Sequence, residues 1–274
     1  MPQKTRRYNW RFASCLLIDA IPYINDKAMT YHPYHIVGAD RPARWLITAD
    51  HATNTVPTEI NDGTLGLSPS EMARHIAYDP GSAGVTYALA DLLNSPAILT
   101  NFSRLVIDPN RGEDDPTLIM KLYDGTIVPA NRHVDAAERE RRLNAYYRPY
   151  HKALANLTNR RDDTLYVAIH SYTPQLNGHT KRPWHIGILY AQDTRLSAPL
   201  VTRLNAEPDL CVGENEPYGG HLLGDSVDRH ALVPNRPNVL IEIRNDLIKT
   251  DAQQVAWARR LAPILQEVLT DSGL

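Results

Sequence analysis

The sequence predicts a three-layer α/β fold with a central β-sheet, and three observations support this prediction. Short apolar runs alternate along the chain with segments whose apolar residues recur at helical spacing. No internal repeat or linker-like stretch divides the chain after about residue 35. A length of 274 residues is enough to bury a substantial core. We therefore predict a single α/β domain over residues 35–274, preceded by an N-terminal extension over residues 1–34.

The predicted strands are short apolar runs that end in polar residues or turn signals. In chain order they are residues 45–48, 98–99, 105–107, 166–170, 185–190 and 239–243. His51 closely follows the first strand, His170 ends the fourth, and the last strand carries Glu242 between apolar neighbours. Open α/β sheets bind ligands beyond the carboxyl ends of their strands, so we expect these side chains to share one site.

Capping residues and apolar spacing define the predicted helices. Ser68 and Glu71 form a capping box with Pro69 at the first helical position, and Thr250 begins the terminal helix in the same way. Pro149 should kink the longest helix. The predicted helices are residues 69–75, 85–93, 135–159 and 194–205 and a terminal helix after Thr250. Two polar segments, residues 112–132 and 212–220, are predicted to be functional loops.

Composition excludes several classes of function. Lys plus Arg number 29 against 31 for Asp plus Glu, so no basic field would attract nucleic acid or anionic lipid. No run approaches the roughly 20 apolar residues of a membrane span. The apolar run 12–18 is at the bottom of the signal-peptide range, and Asp19 ends it before any cleavage site of small residues, so we assign it to the N-terminal extension. Cys15 and Cys211 lie in unrelated contexts, which favours a reducing cytoplasm. Neither a glycine-rich nucleotide loop nor a Gly-x-Ser-x-Gly elbow occurs.

His51 and His170 predict a metal site, because each lies at the end of a predicted strand. Imidazole and carboxylate groups are ligands of zinc, and a catalytic zinc ion commonly has three protein ligands. For the third ligand we favour Asp79 over Asn54, since Asp79 supplies negative charge and a neutral amide oxygen is a poor zinc ligand. Asn54 would then orient a neighbouring group.

The remaining histidines are weaker candidates, because a lone histidine more often has a structural role. Those expected to be structural or solvent-exposed are His75, His151, His179, His185 and His221. We place His75 on a helix face and His151 within the kinked helix. His230 is a better candidate for the pocket, since it follows Asp228 and Arg229 in a polar segment.

Glu242 is predicted to be a general base. A carboxylate flanked by Ile241 and Ile243 is costly to bury unless it has a partner or a function. Burial would raise its pKa towards the working pH, as a general base requires. The alternative is a structural salt bridge to Arg244 or to another arginine.

A cluster of Arg104, Asn110 and Arg111 predicts a clamp for an anionic substrate. These residues surround the apolar run that leads into Asp108. The planar guanidinium group matches the geometry of a carboxylate. The alternative is that the arginines pair internally with Asp108.

Several motifs in order span nearly the whole chain after residue 35. They are Asp50-His-Ala-Thr-Asn54 with Pro57, His75-x-x-x-Asp79-Pro-Gly81, Ser103-Arg-Leu-Val-Ile-Asp-Pro-Asn-Arg111, His170-Ser171, Arg182-Pro-Trp184-x-Ile-Gly187, Gly213-x-Asn-Glu-Pro-Tyr218 and Glu242-Ile-Arg244-x-Asp-Leu-Ile248. Together they resemble the N-formylglutamate amidohydrolase family. The resemblance implies a fold similar to that of zinc carboxypeptidases and acylases, with a mixed central sheet between helices.

The resemblance also implies roles for the residues of these motifs. One zinc ion would be held by His51 and His170, and Glu242 would act on the attacking water. Asn110 and Arg111 would hold the carboxylate of the substrate. The other residues that we assign to the site are Ser171, Arg244 and Asn54 for substrate binding and Arg104 for stabilising the oxyanion.

The predicted reaction is metal-dependent hydrolysis of the amide bond of an N-acyl amino acid. N-formyl-L-glutamate is the leading substrate, with formate and glutamate as products. We expect a small-molecule substrate, and neither nucleic acid nor a membrane as a partner. The alternative is a carboxylate-binding protein that retains the pocket and has lost turnover.

Overall fold

The structure of the protein is a computed structural model that describes residues 31–274. In chain order its elements are β1 (Tyr34–Val37), β2 (Trp45–Ala49), α1 (Pro69–Met72), α2 (Ser82–Leu92), β3 (Ala97–Thr100), β4 (Leu122–Tyr123), β5 (Thr126–Ile127), α3 (Ala136–Arg142), α4 (Arg148–Thr158), β6 (Leu165–Tyr172), β7 (Ile186–Leu189), α5 (Ser197–Asn205), β8 (Val212–Glu214), β9 (Asn238–Arg244) and α6 (Asp251–Ser272). Two π-helical segments, Leu143–Tyr147 and Asp228–Leu232, complete the helical structure that positions the site.

Seven strands form a mixed sheet in the order β1-β3-β2-β6-β9-β7-β8. The four strands β3, β2, β6 and β9 run parallel, whereas β1 pairs antiparallel with β3 and β7 pairs antiparallel with β9. The strands β2 and β6 are buried along their whole length, as is typical of central parallel strands covered on both faces. The predicted α/β fold with a central mixed sheet is confirmed.

Helices cover both faces of this sheet. On one face, Ile47, Val167 and Ile241 belong to a core that includes residues of α2, α5 and α6. On the other face, Leu46 and Tyr166 pack in a second core with residues of α4 and of the segment Asp228–Leu232. Alternate residues of one strand thus enter opposite cores, because side chains alternate across a strand. The three-layer arrangement follows from this alternation.

Both predicted capping boxes are present. The hydroxyl oxygen of Ser68 accepts a hydrogen bond from the backbone of Glu71 at the start of α1, and Thr250 accepts one from Gln253 at the start of α6. The predicted helix 135–159 is interrupted by the π-helical segment Leu143–Tyr147. Pro149 lies in the first turn of α4, directly after this interruption.

The predicted strand at residues 105–107 is wrong. Leu105, Val106 and Ile107 are fully buried, but the chain turns there, with Val106 N–H donating to the carbonyl of Ser103. Strand β1 was not predicted, and the hairpin β4–β5 and strand β8 lie within the two predicted loops.

The N-terminal extension that we predict lies outside the described residues over positions 1–30, and so does Cys15. Tyr34, the last residue assigned to the extension, begins β1 and pairs with Thr100. No helix among residues 31–274 is long and apolar enough to cross a membrane.

Candidate active site

The four parallel strands bring the candidate site residues to one edge of the sheet. His51 follows β2, while His170 lies in β6 directly beside Glu242 of β9 in the register of the sheet. The chain that leaves β3 leads to Arg104 and Asp108. The shared edge arises because parallel strands end on the same side of the sheet.

A backbone hydrogen bond and a glycine bring Asp79 to this edge. The backbone N–H of Asp79 donates to the carbonyl of His51 at 2.9 Å, which ties the two loops together. Gly81 then turns the chain into α2 with a φ of 84°. A Cβ atom at Gly81 would lie 2.3 Å from the carbonyl oxygen of Ile248, so the turn requires glycine.

His51, Asp79 and His170 form a compact buried cluster. One ligand atom from each of the three residues lies within 4.8 Å of the others. Asp79 Oδ2 is 3.3 Å from Nδ1 of His51 and 2.9 Å from Nδ1 of His170. Each of the three residues is only 2% exposed. The structure therefore brings together the three residues that we favour as metal ligands.

Two further carboxylates lie beside the histidines of this cluster, and one of them, Asp108, forms a hydrogen bond with His51. Asp108 Oδ1 lies 2.7 Å from Nε2 of His51, and since a carboxylate accepts, that nitrogen carries a proton, while Nδ1 of the same ring lies on the side of Asp79. Asp50 Oδ2 lies 3.8 Å from Nε2 of His170. Carboxylates behind ligand histidines are a common feature of metal sites. We did not assign Asp50 or Asp108 to the site, although both lie inside the motifs quoted above.

The donor set and the surrounding charge fit a metal cation. Asp79 Oδ1 and His170 Nε2 are buried and have no hydrogen-bond partner among the described residues. Burial would lower the pKa of His170, but the hydrogen bond and charge of Asp79 raise it to about 9. A buried imidazole with this preference for positive charge lies in a site where a cation is favoured.

Arg104 is held by Asp108 and also approaches the cluster of His51, Asp79 and His170. Its Nε and Nη2 atoms donate to Asp108 Oδ2 at 3.1 and 2.8 Å, so the internal ion pair considered as an alternative is present. Its Nη1 atom lies 3.6 Å from Asp79 Oδ1, and its guanidinium lies 5.6 Å from the ring centroid of Tyr123. Burial opposes the charge of Arg104, but Asp108 raises its pKa well above the ordinary value.

Glu242 is buried, and its carboxyl group has a raised pKa. Burial raises its pKa from 4.5 to about 7, against the opposing charge of His170. Its Oε2 atom has no hydrogen-bond partner, and among the described residues it forms no ion pair with Arg244 or another arginine. The salt bridge to an arginine, which is the alternative role of Glu242, is therefore absent among the described residues.

These side chains line a cavity of about 340 Å³. The predicted site residues that line it are His51, Asp79, Arg104, Asn110, Arg111, His170 and Glu242. Arg111 donates from Nε to the Thr117 hydroxyl at 3.1 Å and from Nη1 to the carbonyl of Asn110 at 2.7 Å. Asn110 accepts from the backbone of Ser226 at 3.4 Å.

Three predicted substrate-binding residues do not line the cavity. Asn54 donates to the carbonyl of Met72 at 2.9 Å, and the Ser171 hydroxyl donates to the carbonyl of Pro80 at 2.9 Å. Arg244 pairs with Asp246 at 2.7 Å and donates to the carbonyl of Trp184 at 3.1 Å. These contacts hold the three side chains in the structure around the site, away from the wall of the cavity.

Several cavity residues were not predicted. The residues that complete the lining are His75, Tyr123, Leu189, Tyr218, Gly219, Gly220, His221, Leu222, Asp225 and Leu240. His75 lies beyond the end of α1, with Nδ1 3.3 Å from Asp79 Oδ1, and burial lowers its pKa to about 4. Burial raises the pKa of Asp225 to about 6. His230 is buried against His151 and does not line the cavity.

Comparison with known proteins gives consistent matches. The model of the N-formylglutamate amidohydrolase family matches residues 43–249. The crystal structure of a gene product of Agrobacterium tumefaciens is 32% identical, covers 89% of this chain and 98% of its own, and has a TM-score of 0.84. An N-formylglutamate amidohydrolase from Ralstonia eutropha JMP134 is 21% identical over 88% of this chain and 98% of its own, with a TM-score of 0.68. At this identity the second structure supports the fold alone.

No curated protein sequence matches the chain. The family match covers well over half of the residues and includes His51, Asp79, Arg111, His170 and Glu242. It supports an amidohydrolase and confirms the family resemblance seen in the sequence motifs. The chain belongs to the N-formylglutamate amidohydrolase family.

Proposed function

We propose that the protein is a zinc-dependent amidohydrolase that cleaves the amide bond of an N-acyl amino acid. The observation that carries this proposal is the placement of Glu242 beside the His51, Asp79 and His170 cluster in one cavity. Family membership supports the amide as the bond that is cleaved. N-formyl-L-glutamate is the substrate that we favour, since the solved relative from Ralstonia eutropha carries that name.

His51, Asp79 and His170 would hold the zinc ion, with two imidazoles and one carboxylate as the donor set. When bound, zinc would supply Lewis-acid polarisation of the amide carbonyl and lower the pKa of the attacking water to about 7. Asp108 would accept the Nε2 proton of His51 in a hydrogen bond, so that Nδ1 would be the atom of that ring that holds the ion. Asp50 lies on the Nε2 side of His170, at 3.8 Å.

Glu242 would move the proton of the reaction. Burial raises its pKa towards neutral pH, which suits a group that accepts a proton from the attacking water, and Oε2 has no competing partner among the described residues. The same oxygen would then give the proton to the leaving amine nitrogen. The amide C–N bond breaks as the water oxygen becomes bonded to the acyl carbon, which yields a carboxylic acid and a free amino acid.

Arg104 would stabilise the negative charge that develops on the amide oxygen. Its contacts with Asp108 hold the guanidinium in one orientation before substrate binds, which is the condition for effective electrostatic stabilisation. Asp108 thus contacts both His51 and Arg104, and it links the proposed metal ligands to the arginine that would stabilise the oxyanion.

Arg111 and Asn110 would bind the carboxylate of the amino acid. The contacts of Arg111 with Thr117 and the Asn110 carbonyl hold one side of the guanidinium and leave donors for a ligand in the cavity. Asn110 accepts from Ser226 through Oδ1, which leaves its amide nitrogen as a donor. A small anionic substrate fits both groups.

We also propose a cytoplasmic location for the protein, because its two cysteines, Cys15 and Cys211, lie in unrelated sequence contexts.

Metal analysis and a screen of N-acyl amino acids test this proposal together. We expect zinc in the purified protein and hydrolysis of N-formyl-L-glutamate that depends on it. The variant His170→Ala should lose both, whereas the matched control His179→Ala, at an exposed loop position, should keep both. Tight binding of N-formyl-L-glutamate without any hydrolysis would instead support the alternative of a binding protein without turnover.

A further inference from the structure

A buried pair of histidines lies behind the proposed carboxylate clamp and has no part in the proposed reaction. Nδ1 of His151, in α4, lies 2.9 Å from Nε2 of His230, and the two rings stack with centroids 5.2 Å apart. Nε2 of His151 lies 3.1 Å from the carbonyl oxygen of Pro109, the residue that precedes Asn110. The two imidazoles are 4% and 7% exposed.

The carbonyl of Pro109 sets the order of the protons along this pair. A carbonyl oxygen can only accept, so Nε2 of His151 carries a proton and donates it to Pro109. In a neutral ring Nδ1 of His151 must then accept, and Nε2 of His230 must donate to it. Burial lowers the pKa of both histidines, which is consistent with two neutral rings.

A second set of donors holds the other side of the clamp. The Tyr147 hydroxyl donates to the carbonyl of Arg111 at 2.6 Å, and Arg229 donates to the Tyr147 oxygen at 2.6 Å. On the first side, the Ser226 hydroxyl joins His151 in donating to the carbonyl of Pro109, at 3.3 Å. The carbonyls on both sides of Asn110 are thus fixed by side chains from outside the loop.

Core packing alone does not require this arrangement. Two buried imidazoles cost more to desolvate than two apolar side chains of similar size, unless their hydrogen bonds are satisfied. Here the side chains of His151 and Tyr147 donate hydrogen bonds to backbone carbonyls on either side of Asn110, those of Pro109 and Arg111. Displacement of a positioning group by about 1 Å can reduce the rate of an enzyme by about 100-fold, so such backbone support affects function.

We propose that His151, His230 and Tyr147 are positioning residues for the substrate carboxylate. They hold the backbone from Pro109 to Arg111, so that the Arg111 guanidinium and the Asn110 amide meet the carboxylate without rearrangement. This inference depends on the proposed function, because it assumes that Arg111 binds the substrate. It extends that function to residues that do not touch the substrate themselves.

The variants His230→Leu and His230→Gln test the proton order with N-formyl-L-glutamate as the substrate. Leucine removes the donor to His151, whereas the amide nitrogen of glutamine can replace Nε2–H. We expect His230→Leu to raise KM by about tenfold, with kcat within about threefold of the parent. His230→Gln should recover most of the lost affinity. Zinc content should stay at the parental value in both variants, since His230 packs against His151 and is not among the residues that line the cavity.

Tyr147→Phe is a second test that keeps the shape of the buried ring. It removes the hydroxyl that donates to the Arg111 carbonyl, and it should also raise KM more than it lowers kcat. This variant decides the question if His230→Leu does not fold. His179→Leu, at an exposed loop position, serves as the matched control and should leave KM unchanged.

The outcomes separate this inference from the proposed function. If Arg111→Lys raises KM while Tyr147→Phe and a folded His230→Leu keep the parental KM, the positioning role is wrong and the proposed function stands. A fall in stability with parental KM would assign the pair a purely structural role and would also overturn the inference. If the parent hydrolyses no N-acyl amino acid, the proposed function fails, and the inference fails with it.

Discussion

Replacement of Glu242 by glutamine removes the proposed proton acceptor and keeps the size of the side chain. General acid or base groups contribute about 10²- to 10⁴-fold to turnover, so kcat should fall by that factor. This corresponds to about 3 to 5 kcal/mol of activation free energy. The substitution strands no buried cation, because Glu242 forms no ion pair with an arginine among the described residues.

Glu242→Gln should lower kcat, but it should not lower the stability of the folded protein. In the metal-free protein, burial raises the pKa of Glu242 from 4.5 to about 7, which corresponds to about 3 kcal/mol. A carboxyl with a raised pKa favours the folded state at low pH, and this contribution is lost as the pH rises through about 7. Glutamine carries no charge, so the variant should be at least as stable as the parent above pH 7.

The assay measures kcat and zinc content on one preparation of each protein, and thermal unfolding on a part of that preparation from which zinc has been removed. Glu59→Gln is a matched control at an exposed position and should match the parent in all three measurements. A folded and zinc-loaded Glu242→Gln protein with parental kcat would refute the proposed role of Glu242. A large fall in melting temperature with parental activity per folded molecule would instead show a structural ion pair.

Three further predictions follow from the site and its surroundings. Arg111→Lys keeps the charge but loses the planar fork, so steady-state kinetics should show a higher KM for N-formyl-L-glutamate with little change in kcat. His51→Ala should abolish zinc retention in dialysed protein while circular dichroism shows an intact fold, and undiminished zinc would contradict the ligand assignment. Burial lowers the pKa of His230 from 6.5 to about 4, so the stability it contributes above pH 6.5 should be lost as the pH falls towards 4, by about 3 kcal/mol. Urea unfolding at pH 7 and at pH 4.5 should therefore show that the free energy of unfolding falls less for His230→Gln than for the parent.

The strand pattern predicts the centre of the site because it fixes where side chains emerge. His51, His170 and Glu242 were found from apolar runs that end in or enclose a polar residue, and the sheet places all three at one edge. The charge of Asp79 was enough to favour it over Asn54, and the structure brings Asp79 into the cluster. These are local properties that one stretch of sequence contains.

The loops and the support of the site could not be predicted in the same way. Apolar character at residues 105–107 reports burial, but it does not say whether the backbone pairs with a strand or with a turn. Arg244 follows Glu242 on the same strand, yet the carbonyl of Trp184 and the carboxylate of Asp246 occupy its guanidinium. The role of Asp108 behind His51 depends on a contact between residues far apart in the chain.

The central claim is that hydrolysis depends on a metal held by His51, Asp79 and His170. Formate release from N-formyl-L-glutamate by the chelator-stripped protein, before and after addition of zinc, tests this claim most directly. We predict no release above background from the stripped protein and full recovery on addition of one equivalent of zinc. Parental turnover by stripped protein that retains no metal would contradict the claim.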